Sequence, residues 1–233
     1  MKNRLLLFDI DGTLMLSGGS GREAIRRTCL EILGVEDAME GIPLHGRIDP
    51  NIFSDAVTNA GVPTKHHDKV LRQVMERYFE LLPGVIQEID QARALRGVRD
   101  TLNWLESNIS TAVMGLATGN FRTSAMIKLS SVSLTNYFEV GGFGEDGEVR
   151  FEVLEAGWKR TVNELGWDLR REDVLVIGDT TRDIKAARDA GMQVAAVATG
   201  SNSLDELRAA EPDWVWEDMV QGLEWFQSTS FFS

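Results

Sequence analysis

The stretch from Leu5 to Leu14 constrains this chain most, because a short apolar run ends abruptly in two carboxylates, Asp9 and Asp11. Four apolar residues bounded by charge predict a strand buried on both faces, as at the centre of a parallel sheet. Turn chemistry accounts for Asp11 and the glycine after it. It does not account for Asp9, since a charge directly beside a desolvated strand is costly unless it is paired or bound to metal. Because open α/β sheets place their ligand sites at the C-terminal ends of strands, we predict a functional role for this pair.

A second buried strand, predicted over residues 111–117, ends in Thr118, Gly119 and Asn120, just before a helix predicted over residues 123–129. Backbone N–H groups of such a strand-to-helix loop form a ready site for an anion, and the threonine hydroxyl adds a donor. Capping of the loop is the alternative explanation for the same residues. The loop is therefore a candidate phosphate site. The residues at the other strand ends decide between this interpretation and simple capping.

A third buried strand, residues 174–178, ends like the first in a carboxylate, Asp179, and Asp183 follows near the start of a helix. Strand ends of a parallel sheet meet at one edge, so these two side chains should converge with Asp9 and Asp11. Carboxylates packed so closely repel one another and raise one another's pKa. A hard divalent cation that takes oxygen ligands, such as Mg²⁺, removes this conflict. We therefore predict a magnesium site built from the four aspartates.

Together, the carboxylates, the metal and the anion-binding loop predict phosphoryl-transfer chemistry. With Mg²⁺ bound, one carboxylate can attack phosphorus as a nucleophile. A second carboxylate can protonate the leaving oxygen and later deprotonate water. Charge on the phosphoryl oxygens needs fixed donors. Thr118, the backbone N–H groups of Gly119 and Asn120, and a cation at Arg150 can supply them.

The order of the predicted elements divides the chain into two parts. From residue 97 onward strands alternate with helices, which predicts an α/β fold with a doubly wound parallel sheet. Residues 16–90 carry helical patterns only, which predicts a smaller all-helical domain inserted after the first strand. We accordingly expect an α/β core, residues 1–15 and 91–233, and a helical insert, residues 16–90.

Two breaks are predicted within the insert. The Gly/Ser segment around Gly18 and Gly19 predicts a flexible connection. A helix predicted over residues 64–82 is expected to stop at Pro83 and Gly84, because proline and glycine both disfavour the interior of a helix. An insert hinged at the first break could close over a substrate and open again for product release.

Charge and composition exclude several kinds of partner and location. The formal net charge of −12 argues against non-specific binding of nucleic acid, since phosphate backbones require basic patches. No apolar run is long enough for a membrane span, and no export signal is predicted. The single cysteine, Cys29, excludes an internal disulfide and suits a reducing cytosol. We expect a cytoplasmic protein, as a monomer or a homodimer.

Three motifs resemble, in order, those of the haloacid dehalogenase superfamily of phosphohydrolases: Asp9-Ile10-Asp11-Gly12-Thr13, Leu116-Ala117-Thr118-Gly119-Asn120 and Gly178-Asp179-Thr180-Thr181-Arg182-Asp183. The matched core covers nearly the whole chain outside the insert. The insert itself sits where that superfamily carries a helical cap of the C1 type. The resemblance implies a Rossmann-like core and a phosphatase similar to phosphoglycolate phosphatases.

The resemblance also implies roles for the residues at the first and third strand ends. Asp9 would become the aspartyl-phosphate, and Asp11 would be the general acid and base. Ile10 would give a backbone carbonyl to Mg²⁺. Asp179 and Asp183 would hold the metal directly or through water.

Contacts to phosphate and substrate are implied by the remaining motifs. Thr118 would bind phosphate. The third motif of the superfamily is a Lys or Arg ahead of the helix that leads to the metal strand, and Arg150 occupies that place, with Lys159 as the alternative. The segment 46–50 resembles the cap segment of phosphoglycolate-phosphatase-like members. It makes Arg47 a candidate substrate contact, against the alternative of an arginine in a surface loop.

The expected function is that of a Mg²⁺-dependent phosphatase acting on a small phosphorylated metabolite, with phosphoglycolate as the first candidate by analogy only. A phosphomutase of the β-phosphoglucomutase kind would share every core motif and would pass phosphate to a sugar instead of water. A non-catalytic phosphate-binding protein is the alternative from another class, but it should have lost acidic residues that are all present here. A true dehalogenase is disfavoured, because it needs neither the acid at Asp11 nor a metal-binding pair such as Asp179 and Asp183.

Overall fold

The computed structural model of the protein describes residues 3–44 and 46–232. Its strands are β1 (Arg4–Phe8), β2 (Met15–Leu16), β3 (Arg93–Ala94), β4 (Ala112–Ala117), β5 (Val140–Gly142), β6 (Val174–Gly178), β7 (Gln193–Val197) and β8 (Trp214–Trp216). Its helices are α1 (Ser20–Leu33), α2 (Asp49–Asn59), α3 (His67–Ile89), α4 (Val98–Asn108), α5 (Arg122–Ser131), α6 (Arg150–Leu165), α7 (Thr181–Asp189), α8 (Leu204–Ala209) and α9 (Met219–Ser228). Within the described residues, no helix combines the length and the apolar character that crossing a membrane requires.

Six of the strands form one parallel sheet in the order β5-β4-β1-β6-β7-β8. β1 lies between β4 and β6, where Leu5 pairs with Val113 on one side and with Val174 on the other. The strand order runs outward from β1 in both directions, so the carboxyl end of β1 is a topological switch point, where such sheets bind ligands. The prediction of a doubly wound parallel sheet is confirmed.

Side chains alternate along β1 and supply both faces of the sheet. Leu6 and Phe8 belong to a core that includes buried residues of α4, α5 and α9, such as Leu102. Leu5 and Leu7 belong to the opposite core, which includes buried residues of α6, α7 and α8. All five residues of β1 are buried, as the apolar run before Asp9 predicts. The sheet therefore lies between two layers of helices, with β1 at its centre.

A third apolar cluster joins α1, α2 and α3. Phe53, Tyr78 and Leu82 are fully or almost fully buried in it, and Phe121 at the start of α5 is its one member from beyond α3 among the buried residues described. The rings of Phe53 and Phe121 meet edge to face with their centroids 5.5 Å apart. The three helices thus have an apolar core of their own, docked on the sheet through an aromatic contact.

Helix α3 runs through Pro83, so the prediction that it stops there is wrong. Proline lacks the N–H group that would bond to the carbonyl four residues earlier, which usually kinks or breaks a helix. Leu82, Val85 and Ile86, on both sides of the proline, are all buried. Their burial in the third cluster offsets the lost hydrogen bond and carries the helix on to Ile89.

The segment predicted as a flexible connection packs against the returning chain. β2 and β3 form a two-stranded antiparallel ladder, in which Met15 pairs with Ala94. Just beyond it, a Cβ placed on Gly18 would lie 2.3 Å from the Cβ of Gln91. The two crossings between the sheet and α1–α3 therefore run side by side, and only glycine fits at this point of contact.

Candidate active site

Three buried carboxylates converge at the carboxyl ends of β1 and β6. Asp9 follows β1, Asp179 follows β6, and Asp183 lies in the first turn of α7. One oxygen from each lies within 4.8 Å of the others. Their residues are 7%, 3% and 2% exposed, so these charges are held away from bulk water. The convergence that the strand ends predict is present for these three residues.

Three glycines leave the space that the carboxylates of this group occupy. Gly12 has a φ of +88°, and a Cβ there would lie 2.5 Å from Oδ2 of Asp179. A Cβ on Gly200 would lie only 1.6 Å from the same oxygen. A Cβ on Gly178 would lie 2.5 Å from the Cβ of Asp183. Any larger residue at these three positions would displace a carboxylate.

Hydrogen bonds fix the orientation of the two later aspartates. Oδ2 of Asp183 accepts from the backbone N–H of Thr180 at 3.0 Å and from its hydroxyl at 2.7 Å, which completes a capping box at the start of α7. Asp179 accepts from the hydroxyl of Thr13 at 3.4 Å and from the backbone N–H of Ser201 at 3.3 Å. Both side chains are held before any ligand arrives.

Arg150 is the cation that faces these carboxylates. Its Nη2 lies 2.8 Å from Oδ1 of Asp9 and 2.6 Å from Oδ1 of Asp183. Burial, with repulsion from Asp183, raises the pKa of Asp9 to about 6 although Arg150 opposes the shift. Burial, with repulsion from Asp183 and Asp9, raises the pKa of Asp179 to about 8. One guanidinium therefore leaves the group short of positive charge, and a divalent cation with oxygen ligands suits it.

Asp11 lies outside the group of three and pairs with Lys128 of α5. Its Oδ2 lies 2.6 Å from Nζ of Lys128 and accepts from Nδ2 of Asn120 at 2.8 Å. Desolvation alone would raise the pKa of Asp11, but attraction to Lys128 and these hydrogen bonds lower it below its ordinary value. Its carboxylate is not among those that meet within 4.8 Å. The structure thus gathers three of the four aspartates predicted as metal ligands and turns Asp11 toward a lysine.

The backbone carbonyl of Ile10 is already used within the turn after β1. It accepts hydrogen bonds from the N–H groups of Leu14 at 2.9 Å and Met15 at 3.0 Å. These hydrogen bonds of the turn count against the expected role of this carbonyl as a ligand of Mg²⁺.

The loop after β4 has the predicted hydroxyl at its base. Thr118 is fully buried, and its Oγ1 accepts from Nδ2 of Asn120 at 2.8 Å. A Cβ on Gly119 would lie 2.2 Å from the carbonyl oxygen of Arg47, so this glycine permits a close approach of the segment before α2. The side chain of Asn120 therefore links Thr118 to both Asp11 and Lys128.

Of the two cations considered for the third motif, only Arg150 reaches the site. Its side chain is 10% exposed and contacts Asp9. The side chain of Lys159 is 63% exposed, and its Nζ lies 3.7 Å from a carboxylate oxygen of Glu155 on the same helix. Lys159 therefore lies outside the site, as a lysine on the surface of α6.

The segment before α2 reaches into the site from the helical side. The N–H of Asp49 donates to the carbonyl of Gly119 at 2.6 Å, and its buried Oδ2 accepts from the N–H of Phe121 at 3.1 Å. Arg47 lines the cavity, and its Nη2 lies 2.7 Å from Oδ2 of Asp55. The cavity has a volume of about 880 Å³ and extends from Asp9 to the facing side chains of α1, α2 and α3.

The raised pKa values predict that Mg²⁺ stabilises the protein more at pH 8 than at pH 6. The carboxyl groups of Asp9 and Asp179 lose their protons near pH 6 and 8 in the folded chain, against about 3.8 when unfolded. The folded state therefore binds more protons between these limits, and its stability falls with rising pH by about 1.4 kcal/mol per pH unit for each group. Bound Mg²⁺ neutralises the negative charge that the two buried carboxylates carry once they have lost their protons. In EDTA the Tm should fall between pH 6 and 8, and saturating Mg²⁺ should restore it at pH 8.

Asp179→Asn provides the control for this thermal measurement. The variant should show a smaller fall of Tm with pH in EDTA and a smaller gain from Mg²⁺ at pH 8, because one titrating ligand is gone. A gain from Mg²⁺ that is the same at both pH values, and the same in the variant, would contradict the assignment of the cation to this group.

The chain is similar to known proteins in sequence and in fold. A family model described as haloacid dehalogenase-like hydrolase matches residues 4–191. A phosphoglycolate phosphatase of Synechococcus elongatus is 28% identical over 170 residues, covering 72% of this chain and 73% of the relative. Pyrophosphatase PpaX of Halalkalibacterium halodurans is 27% identical over 239 residues, covering 96% and 97% of the two chains. The crystal structure of a predicted phosphoglycolate phosphatase from Haemophilus somnus superposes with a TM-score of 0.70 at 20% identity, covering 97% of this chain and 99% of that one.

Proposed function

The chain belongs to the haloacid dehalogenase-like hydrolase family, and from that premise we propose that it is a Mg²⁺-dependent phosphomonoester hydrolase acting through an aspartyl-phosphate. The observation that carries the proposal is the buried group of Asp9, Asp179 and Asp183 at the switch point of the sheet. Its substrate is a small phosphorylated metabolite. The printed names of the relatives, which include phosphoglycolate phosphatase and pyrophosphatase, support substrates of this class.

The three carboxylates fit a magnesium ion. They offer only oxygen donors, lie within 4.8 Å of one another and include two groups whose pKa burial and mutual repulsion raise. Asp9, Asp179 and Asp183 would hold the ion. When bound, Mg²⁺ neutralises the carboxylates and polarises a phosphoryl oxygen.

In the first half of the reaction, a carboxylate oxygen of Asp9 attacks phosphorus and the bond from phosphorus to the ester oxygen breaks. Arg150, 2.8 Å from Asp9, keeps the nucleophile in place and donates to the phosphoryl oxygens. The hydroxyl of Thr118 and the N–H groups of Gly119 and Asn120 supply further donors. Asp11, which Lys128 keeps as a carboxylate, passes to the leaving oxygen a proton that the phosphate ester brings with it as its monoanion, so the product departs as an alcohol.

In the second half, Asp11 acts as a base. It takes a proton from a water molecule, whose oxygen attacks the phosphorus of the aspartyl-phosphate and frees Asp9. The pKa of Asp11 is lowered by its pairing with Lys128, which favours the carboxylate form that this step needs. Asp9 thus acts as the nucleophile, and Asp11 acts as the proton carrier.

Residues 16–90 would form the cap that covers this site, with residues 1–15 and 91–233 as the core. The separate apolar cluster of α1–α3 supports this division. Contacts of Asp49 with Gly119 and Phe121 would hold the cap closed. The paired crossings at Gly18 and Gln91 would be the place where the cap moves. Small-angle scattering that is identical with and without Mg²⁺ plus a phosphate mimic would count against a large closure.

Hydrolysis of p-nitrophenyl phosphate with and without Mg²⁺ tests the proposed function. We expect turnover that depends on Mg²⁺ and is abolished by EDTA. Binding of phosphate without turnover would favour a phosphate-binding protein instead. Transfer of the phosphoryl group to a sugar in preference to water, measured on a panel of sugar phosphates, would favour a phosphomutase. A panel of phosphorylated metabolites then ranks the substrates by kcat/KM.

Arg47→Ala should weaken binding of one class of substrate and leave the chemistry intact. Arg47 lines the cavity on the cap side and contacts neither Asp9 nor the other carboxylates of the site in the hydrogen bonds and ion pairs described. We expect its KM for the preferred substrates to rise about tenfold, the value of one ordinary charge-assisted contact, with little change in kcat. Arg72→Ala, an exposed arginine of α3, is the matched control. If every KM stays unchanged, Arg47 does not contact substrate.

A further inference from the structure

Lys128 is a buried cation in the wall of the same cavity. The resemblance to known phosphohydrolases gives this residue no role. Lys128 lies in α5, and its side chain is 7% exposed. Its Nζ donates to Oδ2 of Asp11 and to Oδ1 of Asn120, both at 2.6 Å. Lysine is among the residues least often buried, so a charge in this position calls for partners.

The ammonium group keeps one donor for a ligand. A lysine carries three N–H donors, and two are used by Asp11 and Asn120. No further hydrogen bond of Nζ occurs among the residues that the structure describes. A Cβ on Gly21 would lie 3.6 Å from Nζ and 3.9 Å from the hydroxyl of Tyr78, so the absence of a side chain at Gly21 leaves this side of the ammonium open. Lys128 is among the residues that line the cavity.

Each member of the aspartate pair thus has a cation in contact with it. Arg150 contacts Asp9, where the phosphoryl group would be transferred. Lys128 contacts Asp11, where the leaving group would depart. Arg22 and Arg47 of the cap line the same cavity, as does the buried carboxylate of Asp49. The cavity therefore offers cations other than Arg150, and Lys128 is the one that contacts Asp11.

We propose that Lys128 contacts the substrate and selects phosphate compounds whose leaving group carries a second oxyanion close to the ester oxygen. The inference rests on the proposed function, in which Asp11 meets that ester oxygen. Because Nζ of Lys128 lies 2.6 Å from Oδ2 of Asp11, a ligand that contacts both from the same side places its oxyanion and its ester oxygen about 3–4 Å apart. A carboxylate one or two carbons away, or a second phosphoryl group, satisfies this spacing.

Selectivity follows from the burial of the cation. A substrate with the second oxyanion gains a charge-assisted hydrogen bond in a site shielded from water. A neutral analogue leaves the third donor unmatched, and sites with unmatched buried polar groups reject such analogues. We expect a preference of about 10- to 100-fold in kcat/KM, the range of one hydrogen bond to a charged group.

The experiment compares kcat/KM for matched substrates in the wild type and in Lys128→Met. The carboxylate pair is 2-phosphoglycolate against 2-hydroxyethyl phosphate, and pyrophosphate against methyl phosphate tests the second phosphoryl group. The wild type should prefer the charged member of at least one pair. In Lys128→Met that ratio should fall at least about tenfold, whatever happens to the absolute rates through Asp11. Lys128→Gln serves if the methionine variant does not fold, and Lys69→Met, an exposed lysine of α3, is the control.

Three results would overturn the inference. The first is a wild type with no preference in either pair. The second is a Lys128 variant that loses equal activity on both members of the preferred pair, which would make Lys128 a positioning residue that acts only through Asp11. The third is an equal fall of the ratio in Lys69→Met. A wild type that hydrolyses no phosphate compound at all would instead show that the proposed function itself fails.

Discussion

Asp9→Asn is expected to abolish turnover, with kcat lower by at least about 10³-fold, because an amide nitrogen or oxygen cannot replace the carboxylate nucleophile. The fold should be retained. Asn has nearly the same size, and the carboxyl group that it replaces is one whose pKa burial raises to about 6, so an uncharged side chain removes a cost rather than adding one. Steady-state hydrolysis of p-nitrophenyl phosphate in saturating Mg²⁺ measures the loss.

Asp205→Asn is the matched control, since that side chain is 95% exposed and distant from the site in the contacts described. It should leave both kcat and Tm at wild-type values. Substantial phosphatase activity in Asp9→Asn, with the Tm unchanged, would rule out Asp9 as the nucleophile.

Asp11→Asn is expected to lower steady-state turnover by about 10²- to 10⁴-fold, the usual contribution of a general acid and base. The two half-reactions should respond differently. p-Nitrophenolate leaves readily without a proton, so the first half should still run once, whereas the second half lacks its base. Rapid mixing with p-nitrophenyl phosphate should show a burst close to one equivalent of nitrophenolate per enzyme, followed by slow turnover.

An alkyl phosphate provides the comparison within the same variant. Its leaving group needs a proton, so Asp11→Asn should show no burst with it. Equal loss on both substrates without a burst would contradict the role of Asp11 in proton transfer and would point to a structural role beside Lys128.

Features that follow from local sequence were predicted well. The apolar run before Asp9 and the strand before Asp179 indicated the buried strands and the edge where they meet, because burial and chain polarity are local consequences of the sequence. The family match confirms the prediction of a haloacid dehalogenase-type hydrolase. The resemblance to the superfamily's third motif indicated Arg150, with Lys159 as the alternative, and the structure brings Arg150 to 2.8 Å from Asp9.

Features that depend on long-range packing were missed. Lys128 contacts Asp11 at a sequence separation of 117 positions, and Gly200 meets Asp179 at a separation of 21 positions. No local spacing predicts such contacts. The one available signal was a lysine on the apolar side of α5, beside Ala125 and Leu129. The need for glycine at position 200 leaves no local signal, because the collision that excludes a Cβ there involves the side chain of Asp179 in another loop.

Pro83 shows that local sequence is also an incomplete guide to the length of a helix. The intrinsic cost of proline predicted a break, but buried residues on either side of it keep α3 continuous. In β5, Gly142 allows the carbonyl oxygen of Val153 to come within 1.8 Å of where a Cβ would lie, a contact that no local pattern predicts. In both places tertiary packing outweighs the local preference.

Acid quenching of the working enzyme, followed by mass spectrometry of its peptides, is the most direct measurement of the chemistry at the sheet edge. With Mg²⁺ and substrate, a phosphoryl group should be found on the peptide that contains Asp9, most abundantly in Asp11→Asn, and it should be absent in EDTA and in Asp9→Asn. Turnover without such an adduct, an adduct on another residue, or an equal yield in EDTA would contradict the central claim that Asp9, among carboxylates gathered for a magnesium ion, is the nucleophile.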